Sequence, residues 1–127
     1  MAAVLLIEPD NVLAKTYKSA LEHAGHKVDV VTGAQAGVNS ADQIKPDVVV
    51  MEIQLVGHSG IEFLYEFRSY IEWQKLPAVI LSTVPAQEFE DNWELLRREL
   101  GVMSYLYKPT TNLAKLVAVV NEITLQK

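Results

Sequence analysis

A chain of 127 residues is the length of one small domain, and half of its residues are apolar, enough to bury a core and too many for a disordered polymer. The formal net charge of -5 argues against nucleic-acid binding, because phosphate backbones attract basic faces, and Lys15, Lys18 and Lys27 form no dense patch. With no cysteine there are no disulfides or thiolate metal sites, and no apolar run approaches the roughly 18–20 residues of a membrane span.

The first strand is Val4-Leu5-Leu6-Ile7, stopping at Glu8-Pro9-Asp10. Leu13, Tyr17, Leu21 and Ala24 then recur at helical spacing, and Gly25 supplies the stop. Val28-Asp29-Val30-Val31 reads as the second strand, and residues 34–43 as a second helix weakened by Gly37 and Asn39. Lys45-Pro46-Asp47 breaks the chain ahead of the third strand, Val48-Val49-Val50-Met51, which stops at Glu52. After a loop over residues 54–59, Gly60 opens a third helix carrying Phe63, Leu64, Phe67 and Ile71. Leu76-Pro77 leads into the fourth strand, Ala78-Val79-Ile80-Leu81, which stops at Ser82-Thr83. Phe89, Trp93, Leu96 and Leu100 make the apolar stripe of helix four, whose outer face carries Glu94 and Arg98 at i, i+4; Gly101 ends it. Tyr105-Leu106-Tyr107 is the fifth strand, stopping at Lys108-Pro109, and Leu113, Leu116, Val117 and Val120 mark the fifth helix.

Near-continuous apolar strands alternating with helices predict a parallel sheet covered on both faces. With right-handed crossovers the fold class is α/β, a flavodoxin-like doubly wound (βα)5 three-layer sandwich of strand order 2-1-3-4-5, as a single domain over residues 1–127. Met1-Ala2-Ala3 lacks the basic start of a signal peptide, so a cytoplasmic protein is expected.

In such sheets chemistry sits beyond the carboxyl ends of the strands. The order 2-1-3 makes strands one and three neighbours, so Glu8, Asp10 and Glu52 gather at the switch point. Clustered carboxylates there suit a hard cation such as Mg²⁺, although strand ends also carry polar residues simply because they surface. Ser82 and Lys108 bring a hydroxyl and a cation to the same edge, the layout of a phosphoryl-accepting or phosphate-sensing pocket. Lys108-Pro109 is an X-Pro step, where a cis bond is accessible and would aim the lysine inward. His23 and His26 flank the Gly25 turn and are expected to be exposed, compensating a helix dipole. His58 reads as a solvated loop side chain with no second ligand spaced for a metal. Trp93 belongs either to the core or to an interface.

On Leu6-Ile7-Glu8, the run from Lys45-Pro46-Asp47 to Glu52, Gly57 with Gly60, and Tyr105-Leu106-Tyr107-Lys108-Pro109, the whole chain resembles the receiver domain of two-component response regulators, including the single-domain chemotaxis type. The resemblance implies a strand-three aspartate that takes a phosphoryl group from a histidine kinase, with Mg²⁺ held by two acids after strand one. It puts Glu52 at the acceptor position, Ser82 at the switch hydroxyl, Tyr105 at the switch aromatic and Lys108 at the phosphate-contacting lysine. Three departures stand out: Glu52 replaces the aspartate, Glu8-Pro9 replaces the acidic pair, and Val56 replaces a proline. Asp10 aligns one place too late to be the missing ligand. Glutamate carries its carboxylate one methylene farther, where a phosphoryl group would sit, and so imitates part of the phosphorylated state without its third oxygen.

These residues lead to the expectation of an atypical receiver, not an enzyme, that is not phosphorylated in the ordinary way. It would bind Mg²⁺ weakly at most, with Glu8, Asp10 and Glu52 as candidate ligands, and no other cofactor. It would contact a histidine kinase or an output protein, or a second copy of itself, through the face of helix four, strand five and helix five. Helix four is expected to be about a turn longer than is usual for the family. The chain closes after its fifth helix, so no DNA-binding output module is expected in it. Two alternatives stay open: a phosphorylatable single-domain response regulator that tolerates Glu52, and a small flavodoxin-like enzyme or flavin carrier. The second is disfavoured because Glu8-Pro9-Asp10 stands where a Gly-rich phosphate loop would follow strand one.

Overall fold

Successive side chains of a strand point to opposite faces, so an apolar strand in a parallel sheet demands a hydrophobic layer on each side. The computed structural model, which describes residues 2–55 and 58–125, realises that demand with five strands. Numbering only the strands of this sheet, β1 is Ala3–Ile7, β2 Lys27–Val31, β3 Val48–Met51, β4 Ala78–Ser82 and β5 Val102–Tyr107. The helices are α1 Asn11–His23, α2 Ala34–Ile44, α3 Gly60–Arg68, α4 Trp93–Arg98 and α5 Leu113–Leu125. Strand order is β2-β1-β3-β4-β5 and each neighbouring pair runs parallel, giving the expected flavodoxin-like sandwich.

Leu5, Ile7, Val49, Met51 and Ile80 fill one layer with Val38, Phe63, Phe67 and Leu96. Val4, Leu6, Val50, Val79 and Leu81 fill the other with Tyr17, Leu21, Leu116 and Val120. Each Leu or Ile buried in this way contributes about 1.5–3 kcal/mol. A one-residue slip would exchange the two layers, so the alternation fixes the register and thereby the height at which every strand ends.

Gly37, expected only to weaken α2, has a packing role. A Cβ there would lie 2.9 Å from Ile7 Cδ1 and 3.1 Å from Phe63 Cε1, so glycine lets α2 close on the sheet.

Several local expectations are corrected. Ile71 is not on the third helix: it is 84% exposed in a separate 3₁₀ turn, Ile71–Trp73, and Trp73 is the buried residue, stacked on Phe67 at 5.6 Å. Helix four is shorter than expected rather than longer. Ala86–Asn92 winds as 3₁₀ helix, and the α-helix is confined to Trp93–Arg98. Glu88, Glu90 and Asp91 crowd like charge into that segment, no side chain caps it, and Phe89 instead packs against Tyr105 in a tilted ring pair at 5.8 Å. The loop after Glu52 contains a two-residue antiparallel ladder, Gln54–Leu55 with His58–Ser59. The Lys108–Pro109 peptide is trans. The expectations for Val56, Gly57 and the His58 side chain lie outside the described residues.

Candidate functional site

Because β1 and β3 pair in register with Ile7 opposite Met51, the residues that follow them, Glu8 and Glu52, emerge side by side. Both are buried, at 2% and 4% exposure. The backbone ties them down: Glu52 N–H donates to Ile7 O at 3.0 Å and Glu8 N–H to Val31 O at 3.0 Å. From β5, Lys108 reaches back so that its Nζ lies 2.7 Å from Glu8 Oε1 and 2.9 Å from Glu52 Oε1. Ser82, the last residue of β4 and fully buried, donates its hydroxyl to Glu52 Oε2.

The rest of the Glu52 carboxylate is also occupied. Oε2 accepts from the N–H groups of Ile53 at 2.7 Å and Gln54 at 3.1 Å, and Oε1 accepts from Thr83 N–H at 3.4 Å. The loop can curl this tightly because Gly60, at the start of α3, lies under it. A Cβ on Gly60 would meet Ile53 Cα at 2.6 Å, and Gly60 N–H donates to Ile53 O at 2.7 Å.

Charge and burial act against each other here. Burial alone would raise the Glu52 pKa, but the Ser82 hydroxyl, the Lys108 ammonium and the Gln54 N–H outweigh it and hold the group below its ordinary value. Burial likewise pushes Lys108 down, and its bonds to Glu8 and Glu52 more than reverse that, leaving it raised. Tyr105 is pushed up to about 12, chiefly by burial. Its hydroxyl donates to Val84 O at 2.6 Å, while Val84 N–H donates to Ser82 Oγ at 3.0 Å. One loop therefore links the switch-position hydroxyl to the aromatic ring on β5.

Comparisons with known proteins decide the family. A model of the response regulator receiver domain matches residues 4–121. The chain belongs to that family. It is 30% identical over 109 residues to protein PilH of Pseudomonas aeruginosa, covering 86% of this chain and 87% of that protein. It is 28% identical over 109 residues to the KDP operon transcriptional regulatory protein KdpE of Escherichia coli, covering 86% of this chain and 45% of that regulator. The chain thus spans about half the length of several curated relatives it matches. Among solved structures, the chemotaxis response regulator CheY4 of Vibrio cholerae superposes with a TM-score of 0.84 at 20% identity, covering 97% of this chain and 98% of that one. Receiver domains are signalling rather than enzymatic modules, and they interact with histidine kinases and output domains. Among the described residues no helix is long and apolar enough to cross a membrane.

Of the site residues named from sequence, the receiver fold brings Glu8, Glu52, Ser82 and Lys108 into direct contact and keeps Tyr105 one loop away. Asp10 stands apart. It is the N-cap of α1, and its Oδ1 accepts from Val12 and Leu13 N–H at 2.9 and 3.0 Å. A divalent cation, such as the magnesium ion coordinated in the active-site cleft of the receiver domain of sensor histidine kinase PA1611 from Pseudomonas aeruginosa, does not fit the donors present. Both Glu8 and Glu52 are engaged by Lys108, Asp10 is engaged by its helix, and Pro9 offers no side-chain oxygen. Among the described residues no group of three or more acids or histidines is placed to hold a metal.

Sequence reasoning missed three contributions. The Ile53, Gln54 and Thr83 N–H donors carry no side-chain signal. Tyr17, read as a core residue, is buried close enough to Lys108, Glu8 and Glu52 to feel their charges, and burial raises its pKa. His26 is buried, not exposed: its Nδ1 accepts from Ala2 N–H at 3.2 Å and its Nε2 lies 2.6 Å from Asn121 Oδ1. His23 is exposed, as expected.

Proposed function

We propose that the 127 residues form one atypical receiver unit of two-component or phosphorelay signalling, in which Glu52 stands in for a phosphorylated aspartate and output passes through protein–protein contact. One observation carries the reading: Lys108, the Ser82 hydroxyl and Thr83 N–H, donors that would serve a phosphoryl group at this strand end, already hold the Glu52 carboxylate. A phosphoryl group brings nearly two negative charges and three acceptor oxygens. Glu52 brings one charge and two oxygens to the same donors, so the imitation is partial in charge and close in geometry.

The connection from Ser82 through Val84 to Tyr105 supports an output face formed by the 86–98 segment, β5 and α5. A groove of about 580 Å³ lies there, lined by Ala86, Gln87, Glu90, Trp93, Met103 and Tyr105. Trp93 packs against the core and also lines the groove, which fits a side chain shared between fold and interface. A histidine kinase, an output protein or a second copy of the chain is the partner this reading requires, and Trp93→Ala would weaken that association.

The deciding experiment is incorporation of label from acetyl phosphate in Mg²⁺. The parent should incorporate little, whereas the double variant Pro9→Asp with Glu52→Asp should label, because acceptor and metal ligand return together. Equal labelling of parent and double variant would make Glu52 a working acceptor and the chain an ordinary phosphorylatable response regulator.

A further inference from the structure

Glu8 and Glu52 leave adjacent strands, and their Oε1 atoms converge on one point, which the Lys108 ammonium fills at 2.7 and 2.9 Å. The side chains of Glu8, Glu52 and Lys108 are only 3%, 5% and 10% exposed, so this contact is made away from water. A divalent cation bridging the same two oxygens needs the same point. Mg²⁺ takes oxygen ligands at about 2.0–2.1 Å in near-octahedral geometry, which leaves no room for an ammonium between those oxygens. Displacing the ammonium would leave a buried positive charge beside a dication, with its hydrogen-bond acceptors lost.

Glu8 is the residue that makes this arrangement stiff. Its Oε1 holds Lys108 while its Oε2 accepts from Asp10 N–H at 3.1 Å, which anchors the carboxylate to the turn that opens α1. The charge count agrees: two carboxylates and one ammonium leave the trio at minus one, whereas the carboxylates alone would stand at minus two, the charge a dication balances.

We infer that Lys108 is the resident cation of this pocket, positioned by Glu8, and that it replaces the divalent metal on which receiver domains rely. The pocket is then set without metal and without phosphate, changes in Mg²⁺ do not reach it, and removal of the ammonium hands its place to a divalent cation. The inference rests on the atypical-receiver reading for its setting. The two fail separately: labelling of the parent by acetyl phosphate sinks that reading, and a metal response of the parent sinks this one.

The test is thermal unfolding of the full 127-residue chain in EDTA and in 10 mM MgCl₂ or MnCl₂, for the parent and for Lys108→Met. A cation that binds only the folded state raises its midpoint. The parent midpoint should be the same in both conditions, while Lys108→Met should gain at least about 3 °C with the cation. A comparable gain in the parent overturns the inference, because metal and ammonium would then coexist. Indifference of a folded Lys108→Met to both cations overturns it equally. Should that variant not fold, Mn²⁺ titration of the ¹⁵N-labelled parent decides: unbroadened amides at Glu8, Glu52 and Lys108 sustain the inference, and selective broadening there ends it.

Discussion

At the carboxyl ends of β1, β3 and β5 the chain buries Glu8, Glu52 and Lys108 against one another, whereas at the amino ends it secures its first strand by other means. There the His26 ring accepts from Ala2 N–H and pairs with Asn121 across to α5, and Asp47 Oδ2 accepts from Ala3 N–H at 2.9 Å. The His26 contacts fix a tautomer: with Nδ1 accepting, Nε2 carries the proton and donates to Asn121 Oδ1. The amino-end contacts are single hydrogen bonds, two from backbone N–H groups to the side chains of His26 and Asp47 and one between the His26 and Asn121 side chains. The carboxyl-end cluster is a balance of charges, so pH, salt or substitution can shift it without unmaking the fold. The same parallel sheet therefore carries a lock at one end and an adjustable site at the other, because its carboxyl ends bring together long charged side chains that follow three strands.

The contrast breaks most sharply at Lys108. Lys108→Met in the absence of divalent cation leaves two buried carboxylates without their counter-charge and should cost about 3–5 kcal/mol, read from the midpoint of chemical denaturation at neutral pH. A cost below about 1 kcal/mol would mean that solvent already screens the pocket.

Acid should remove part of the same stabilisation in the parent. Glu52 has a folded pKa below its ordinary 4.5, so its contribution is fully present above that value and is lost as pH falls through the folded pKa. Lys108, with a folded pKa above its ordinary 10.5, contributes below that value and loses its contribution as pH rises through the folded pKa. Stability measured between pH 3 and pH 7 should therefore fall on the acid side in the parent and fall less in Glu52→Gln. Parallel curves would remove Glu52 as the titrating group.

At the other end, His26→Ala strands Ala2 N–H and Asn121 and should cost about 1–3 kcal/mol. Unlike the loss at Lys108, this one should be insensitive to added MgCl₂, since no charge is left over; a rescue by cation would erase the distinction between the two ends. The smallest effect is expected outside both. Arg98→Ala breaks the 3.0 Å pair with Glu94, whose partners are 81% and 66% exposed, and should change stability by at most about 0.5 kcal/mol and vanish in high salt.

What the sequence alone determined is the sheet and the roster of side chains at its carboxyl edge. Strand runs such as Val48–Met51 and the residues that stop them are local facts, and parallel pairing converts equal strand ends into one site. Glu52, Ser82 and Lys108 were therefore legible together. Helix four was misjudged because a stripe of Phe89, Trp93, Leu96 and Leu100 satisfies helical spacing even when its first half winds as 3₁₀ and turns Phe89 onto Tyr105. His26 and Ile71 exchanged their expected environments for a similar reason: flanking glycine and periodicity say nothing about which distant element arrives to cover a side chain. Only the tertiary structure decided that Glu8 and Glu52 share one ammonium, that Asp10 is spent on capping α1, and that backbone N–H groups of Ile53, Gln54 and Thr83 complete the carboxylate's shell. Those outcomes depend on distances of 3 Å between residues as many as 100 positions apart in the chain, such as Glu8 and Lys108. A periodic pattern constrains which face a residue takes, and the packing of all five βα units is needed to fix where its charged end comes to rest.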